Sequence, residues 1–259
     1  MNGLATLQDR YAEVCAKVRR AAERSGRRAE DVLIVAVSKY AAPEPIRQLV
    51  DMGHRDFGEN NVQQLQQRVA MVDEYLDRLR VLSSTQAETG SDREPADRIR
   101  WHMIGHLQRN KAKKASELSR LVHSVDSLRL AEELQQIGLR RERDVDVLVQ
   151  VNCSGEESKF GCAPAATSAL IEQISAMTYV RVRGLMTMAA YSDNPEAARP
   201  TFARCRELFD DVRREAIIES GFDILSMGMS GDYEPAIEEG ANLVRIGSGI
   251  FGAREDAGE

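Results

Sequence analysis

The chain alternates between short apolar or β-branched runs and longer stretches with the periodicity of an amphipathic helix. Strands that alternate with helices run parallel to one another, because each helix returns the chain to the end of the sheet at which the previous strand began. The pattern therefore predicts a parallel sheet of eight strands. The runs that predict them are 33–38, 54–58, 101–105, 120–125, 146–152, 179–186, 223–228 and 242–247.

Eight parallel units form either a closed barrel or an open doubly wound sheet, and periodicity does not choose between them. Polar or glycine-rich residues follow nearly every predicted strand, and a barrel gathers all such ends around one mouth. We therefore expect an α/β fold, a single (β/α)₈ TIM-type barrel, preceded by an extra helix within residues 4–24. The chain of 259 residues suits one such domain over 1–259, with a polar surface insertion at 83–98 and a tail at 255–259.

Charge and composition exclude several kinds of partner. The 35 basic and 41 acidic residues give a net charge of −6, the wrong sign for a protein that binds nucleic acid. The N-terminus lacks the apolar segment of a secretory signal, and no stretch approaches the ~20 apolar residues that span a bilayer. We expect a cytoplasmic protein without membrane contacts. His102 and His106 have the spacing of a metal-binding pair, but the HMIGH segment lacks the glutamate of HExxH, so no metal site is predicted.

Lys39 stands directly after the first predicted strand, so its amine should project from the C-terminal end of the barrel. A neutral lysine at such a position attacks aldehydes. A solvated lysine at a strand end would occupy the same position, and spacing alone leaves both interpretations open.

Two glycine-containing loops follow the last two predicted strands. Residues 247–252 read GSGIFG and match G-x-G-x-x-G, but the seven residues after them leave no room for the rest of a dinucleotide-binding unit. Barrels commonly bind phosphate after strands seven and eight, where backbone N–H groups converge on an anion. Arg245 lies just before this loop in an apolar strand, and it needs either an acidic neighbour or a ligand.

Seven segments of the chain together resemble a known family. They are VAVSKY, FGENNVQQL, WHMIGHLQRNK, VQVNCSGEESKFG, VRGLMTMA, LSMGMSGDYEPAI and NLVRIGSGIFG, in this order. They resemble the pyridoxal phosphate homeostasis protein family over about residues 4–254. That family is similar in fold to the N-terminal barrel domain of alanine racemase, and it binds pyridoxal 5′-phosphate.

The resemblance implies a set of cofactor-binding residues. Lys39 would carry the cofactor as a covalent aldimine, and Arg245 would face its pyridine nitrogen. Ser230, Gly247 and Ser248 would hold the phosphate, Asn60 and Met229 would line the ring, and Ser226 is a further candidate unless the strand turns it into the barrel. Tyr40 departs from the family pattern, in which a small polar residue such as threonine is common. Gly231-Asp232-Tyr233 also replaces a bulkier or more acidic helix start.

The resemblance further implies a carrier without catalytic residues. Such a protein would hold pyridoxal phosphate, supply it to apo-forms of enzymes that depend on it, and influence the balance of amino acids and keto acids, as a monomer. Alanine racemase places a tyrosine from a separate β domain on the second face of its substrate, and here the chain ends just after the barrel. The alternatives are an amino-acid racemase, with Tyr40, His102 or Tyr233 as base, or a Schiff-base aldolase without cofactor. A pure protein-interaction module would leave Lys39 and the phosphate loops without a purpose.

Overall fold

The computed structural model of the chain describes residues 5–84, 98–156, 158–218 and 220–252. Eight parallel strands pair in sequence order, and the last pairs with the first to close a barrel. This confirms the predicted (β/α)₈ fold. The strands are β1 (Leu33–Val37), β2 (Asp56–Glu59), β3 (Arg100–Met103), β4 (Leu121–Val125), β5 (Val145–Gln150), β6 (Val180–Met186), β7 (Ile224–Ser226) and β8 (Leu243–Ile246).

Helices precede, connect and follow the strands. They are α1 (Leu7–Arg24), α2 (Pro43–Asp51), α3 (Val62–Ser84), α4 (Arg109–Leu118), α5 (Leu128–Arg141), α6 (Thr167–Ser175), α7 (Arg199–Arg214), α8 (Tyr233–Glu238) and α9 (Ser248–Phe251). The predicted insertion at 83–98 begins with the last two residues of α3, and residues 85–97 lie outside the described part of the chain, as does the predicted tail at 255–259. Within the described ranges, no helix is long and apolar enough to cross a membrane.

The helix α1 precedes the barrel, as the sequence predicts. The Thr6 hydroxyl accepts the backbone N–H of Asp9 at 3.2 Å, and the Asp9 carboxylate accepts the backbone N–H of Thr6 at 3.0 Å. This reciprocal capping box satisfies two amide groups that a helix start otherwise leaves without partners. Leu7, Val14 and Val18 are buried on one side of the helix, which fixes α1 against the body of the protein.

Side chains alternate between two cores along each strand. On β8, Val244 and Ile246 belong to the large apolar core that the outer helices share, whereas Leu243 faces a small apolar cluster inside the barrel. A period of two is what a strand with both faces buried requires. The members of the interior cluster are Val35, Leu121, Leu148, Met186 and Leu243.

Candidate functional site

A cavity of about 1390 Å³ opens at the C-terminal ends of the strands. This is the mouth at which barrels build their sites. Seven of the eight predicted cofactor-binding residues line this cavity: Lys39, Asn60, Met229, Ser230, Arg245, Gly247 and Ser248. The topology therefore brings together residues that lie more than 200 positions apart in the chain.

Lys39 lies two residues beyond β1 and is partly buried, with its Nζ atom 4.9 Å from the centroid of the Tyr40 ring. The preceding Ser38 is buried, and its hydroxyl donates a 2.7 Å hydrogen bond to Oε1 of Glu59. The lysine backbone is thus fixed by a bond between the ends of β1 and β2.

Glu59 is a buried acid beside Lys39 that sequence reasoning missed. Its Oε2 atom has no hydrogen-bond partner among the described residues. Burial raises the pKa of Glu59, while the Ser38 hydroxyl and the charges of Arg68 and Lys39 oppose that shift. The only signal in the sequence is an acidic residue directly after the predicted run 54–58, and acidic residues are also common at exposed strand ends.

The ends of β2 and β3 approach each other closely at the mouth. A Cβ atom at Gly105 would lie 2.2 Å from the carbonyl oxygen of Asn60. Only glycine permits this contact, because no side-chain carbon fits at that distance from a backbone oxygen. The close approach fixes the position of Asn60 at the edge of the cavity.

The loops after β7 and β8 are joined by one hydroxyl group. Oγ of Ser230 accepts the backbone N–H groups of Gly247 and Gly249, each at 3.2 Å. Two amides that converge on one oxygen form the kind of site that binds the oxygens of a phosphate group. The nearby Asp232 carboxylate accepts the backbone N–H of Met229 at 2.6 Å.

Arg245 is a buried cation at the base of the cavity, 3% exposed. Its guanidinium donates to Oγ of Ser226 and, at 2.9 Å, to the carbonyl oxygen of Thr187. Burial lowers the pKa of Arg245 to about 10, so the group remains charged at neutral pH. Among the described residues it has no ion-pair partner. The charge of Asp232 opposes the effect of burial on the pKa of Arg245, but no acidic side chain among the described residues is bonded to the guanidinium.

Ser226 lies inside the barrel and is fully buried, and it does not line the cavity. Its position at the end of β7 turns the side chain inward, beneath Arg245. Any effect of Ser226 on a ligand therefore passes through the guanidinium to which it is bonded.

The three side chains considered as racemase bases occupy different environments. Tyr40 lines the cavity and is 63% exposed. His102 is buried and bonded to Asp56 and to His123 inside the barrel. Tyr233 is 5% exposed on α8, where burial raises its pKa to about 12. His106, the other member of the spaced pair, stacks on Phe160 at the mouth, with ring centroids 3.9 Å apart.

Comparison with known proteins identifies close relatives of the chain. The family model described as alanine racemase, N-terminal domain, matches residues 16–255. A protein of Aquifex aeolicus named pyridoxal phosphate homeostasis protein is 38% identical over 247 residues, which are 95% of this chain and 98% of the relative. A Pseudomonas aeruginosa protein of the same name is 38% identical over 253 residues, 97% of each chain.

A solved structure is also similar to the chain over nearly its whole length. The structure of PipY from Synechococcus elongatus with PLP bound is 30% identical in sequence and superimposes with a TM-score of 0.74. The match covers 95% of this chain and 100% of that one.

Proposed function

The chain belongs to the pyridoxal phosphate homeostasis protein family, and from this premise we propose that it binds pyridoxal 5′-phosphate and serves its homeostasis in the cell. One observation carries the proposal. The cavity is lined by a lysine amine, by a buried arginine, and by Ser230 and Gly247, whose hydroxyl and backbone amide are bonded to each other. These groups suit an aldehyde, a ring nitrogen and a phosphate. The relative PipY, whose structure holds PLP, supports the same ligand.

Each part of the ligand has a group in the cavity that suits it. Ser230, Gly247 and Ser248 hold the phosphate, Asn60 and Met229 flank the ring, and Arg245 faces the ring nitrogen. The fit rests on donors, because a phosphate offers oxygen acceptors and the unprotonated ring nitrogen offers a lone pair. Ser226 does not contact the ligand and instead accepts a hydrogen bond from Arg245.

Lys39 attaches the ligand covalently. Its neutral amine adds to the aldehyde carbon, and loss of one water molecule leaves a carbon–nitrogen double bond between the two. Addition of water reverses the reaction. The protein thus holds a reactive aldehyde without consuming it.

Arg245 makes the site better suited to storage than to catalysis. Bound pyridoxal phosphate supplies an electron sink when its ring nitrogen is protonated, and a guanidinium facing that nitrogen disfavours protonation by like-charge repulsion. Of the three side chains considered as bases, only Tyr40 lines the cavity. Both features favour a non-catalytic carrier. As the resemblance to the family implies, we propose that this carrier is cytoplasmic and monomeric, supplies apo-enzymes and so affects amino-acid and keto-acid balance.

The attachment is tested by trapping it. Protein mixed with pyridoxal phosphate should absorb visible light, and borohydride reduction followed by peptide mapping should show a pyridoxyl group on Lys39. Lys159→Ala is the matched control. It removes a lysine that lines the same cavity but is already bonded to the Ala189 carbonyl and to Glu156, at 2.7 Å each. The control should keep the adduct and Lys39→Ala should lose it; a colourless wild type, or an adduct on Lys159, contradicts the proposal.

The non-catalytic role has its own test. The loaded protein is incubated with a panel of L-amino acids and the products are separated by chiral chromatography. We expect no D-enantiomer above the rate seen with the free cofactor. Formation of D-amino acids at enzymatic rates would show a racemase instead.

A further inference from the structure

A series of buried polar side chains crosses the interior of the barrel from its N-terminal end to the cavity. It begins at Asp56 on β2, passes through His102, His123 and Ser226, and ends at Arg245 on β8. All five residues are at most 3% exposed. The linking distances are 3.1 Å from Asp56 Oδ1 to His102 Nε2, 3.0 Å from His102 Nδ1 to His123 Nε2, and 3.2 Å from His123 Nδ1 to Ser226 Oγ.

The two ends of this series differ in hydrogen-bonding capacity. Asp56 is an anion that only accepts, and it is already bonded to Arg100, whose Nε lies 2.7 Å from Oδ1. Arg245 is a cation that only donates, and it donates to Ser226. An acceptor at one end and a donor at the other restrict where the hydrogens between them lie.

With neutral imidazoles only one arrangement satisfies every contact. His102 must donate from Nε2 to the Asp56 carboxylate, so its Nδ1 accepts. His123 must then donate from Nε2 to that atom, and its own Nδ1 accepts the hydroxyl hydrogen of Ser226. Every bond points from Arg245 toward Asp56.

A second arrangement would need an imidazolium at His102, with the hydrogens on His123 reversed. Burial lowers the pKa of both His102 and His123, and the charge of Arg245 lowers that of His123 further. Arg100 already supplies a positive charge to Asp56. A second buried cation is therefore not required at that end.

We propose that this ordered series positions Arg245 in the cavity, with Ser226 and His123 as positioning residues and Asp56 as the terminal acceptor that fixes the direction of the bonds. The bonds to Ser226 and to the Thr187 carbonyl oxygen hold two of the five N–H groups of Arg245, so the plane of the guanidinium is fixed. The role at the ring nitrogen rests on the proposed function, whereas the order of the hydrogens does not.

The order is tested first, in the ligand-free protein. The chain has four histidines, so ¹⁵N-labelled imidazoles give a spectrum simple enough to assign. At pH 7 we expect His102 and His123 to be neutral, each with its hydrogen on Nε2. A hydrogen on Nδ1 of either ring, or an imidazolium signal from either, overturns the inference whether or not the protein binds pyridoxal phosphate.

The positioning role is tested with two ligands, pyridoxal phosphate and its analogue in which a C–H group replaces the ring nitrogen. Ser226→Ala should weaken binding of the first by about fivefold to tenfold and leave binding of the second nearly unchanged, and Ser226→Thr should restore the difference. Ser124→Ala is the matched control, because Ser124 is buried beside His123 and its Oγ has no partner among the described residues. An equal loss for both ligands, or no loss beyond that of Ser124→Ala, overturns the proposal.

The two experiments separate failure of the inference from failure of the proposed function. A wild-type protein that binds both ligands equally would contradict the assignment of Arg245 to the ring nitrogen. It would also remove the ligand contact that the positioning residues are inferred to serve. The imidazole spectrum would still decide the order of the hydrogens.

Discussion

The strand β2 carries a carboxylate near each end of the barrel, and the two differ in hydrogen bonding and in the direction of their pKa shifts. Although burial alone would raise the pKa of Asp56, hydrogen bonds from Arg100 and His102 hold it well below its usual range. Glu59, three residues later at the mouth, keeps one oxygen without a partner among the described residues, and burial raises its pKa. The carboxylate at the N-terminal end is fully bonded, whereas the one near the mouth is buried with an oxygen that has no partner among the described residues.

The sharpest test of this contrast removes the satisfied carboxylate. Asp56→Ala leaves the buried His102 and the partly buried Arg100 without their shared acceptor, and breaking one partner of a buried pair costs about 3 kcal/mol or more. We expect the free energy of unfolding at pH 7 to fall by that amount in urea denaturation. Asp144→Ala, which removes the exposed partner of Arg181, should cost at most about 1 kcal/mol.

The pH dependence of the Asp56 effect has a definite sign. The pKa of Asp56 is lower in the folded state than in the unfolded chain, so its contribution is present above the unfolded value of about 3.9. It is lost as the pH falls further. The difference between wild type and Asp56→Ala should therefore shrink in acid, and a difference that is constant from pH 7 to pH 3 would contradict this account.

Gly105→Ala tests the close approach at the mouth. The added methyl group would lie 2.2 Å from the Asn60 carbonyl oxygen, so the backbone of one loop must move. We expect the free energy of unfolding to fall by about 1–3 kcal/mol and the binding of pyridoxal phosphate to weaken. Gly231→Ala is the control at the same mouth, because a Cβ there meets nothing within 4 Å. Equal behaviour of the two variants would show that the loop tolerates displacement.

Glu59→Gln should change the free energy of unfolding at pH 7 in the opposite direction to Asp56→Ala. Glutamine still accepts the Ser38 hydroxyl but carries no charge, so it avoids the cost of burying a carboxylate. A raised folded pKa means that wild-type stability falls as the pH rises through that pKa. We expect the variant to be more stable than wild type at pH 7, by about 1 kcal/mol at most, and equal to it near pH 4. A less stable variant at pH 7 would show that Arg68 and Lys39 outweigh the burial of Glu59.

The fold and much of the mouth could be predicted because both follow from local pattern and topology. Each of the eight predicted runs overlaps one observed strand, because a strand with both faces buried favours apolar residues at most of its positions. Once the sheet closes, the residues after the strands meet at one end. The positions of Lys39 and Gly247 at the mouth could therefore be predicted without knowing any side-chain contact.

The interior of the barrel could not be predicted in the same way. His102 and His123 are 21 residues apart, and His123 and Ser226 are 103 apart. Whether they touch depends on the stagger between strands, which periodicity does not encode. Only indirect evidence of these contacts is present in the sequence. A histidine and a serine lie within the apolar runs 120–125 and 223–228, where a buried polar group needs a partner.

Tyr40 lies beside Lys39 at the mouth, and its replacement should have the smallest effect. Its ring is 63% exposed, with Nζ of Lys39 4.9 Å from the ring centroid. An exposed cation–π contact contributes about 0.5–1 kcal/mol.

Because that contact stabilises the lysine in the ligand-free protein, Tyr40→Thr should strengthen binding of pyridoxal phosphate by about twofold to fivefold in absorbance titrations. Tyr40→Phe keeps the ring and is the control that separates loss of the ring from loss of the hydroxyl. A tenfold loss with threonine would instead mean that the tyrosine ring contacts the ligand itself, and the mouth would then hold one more binding residue than the family pattern implies.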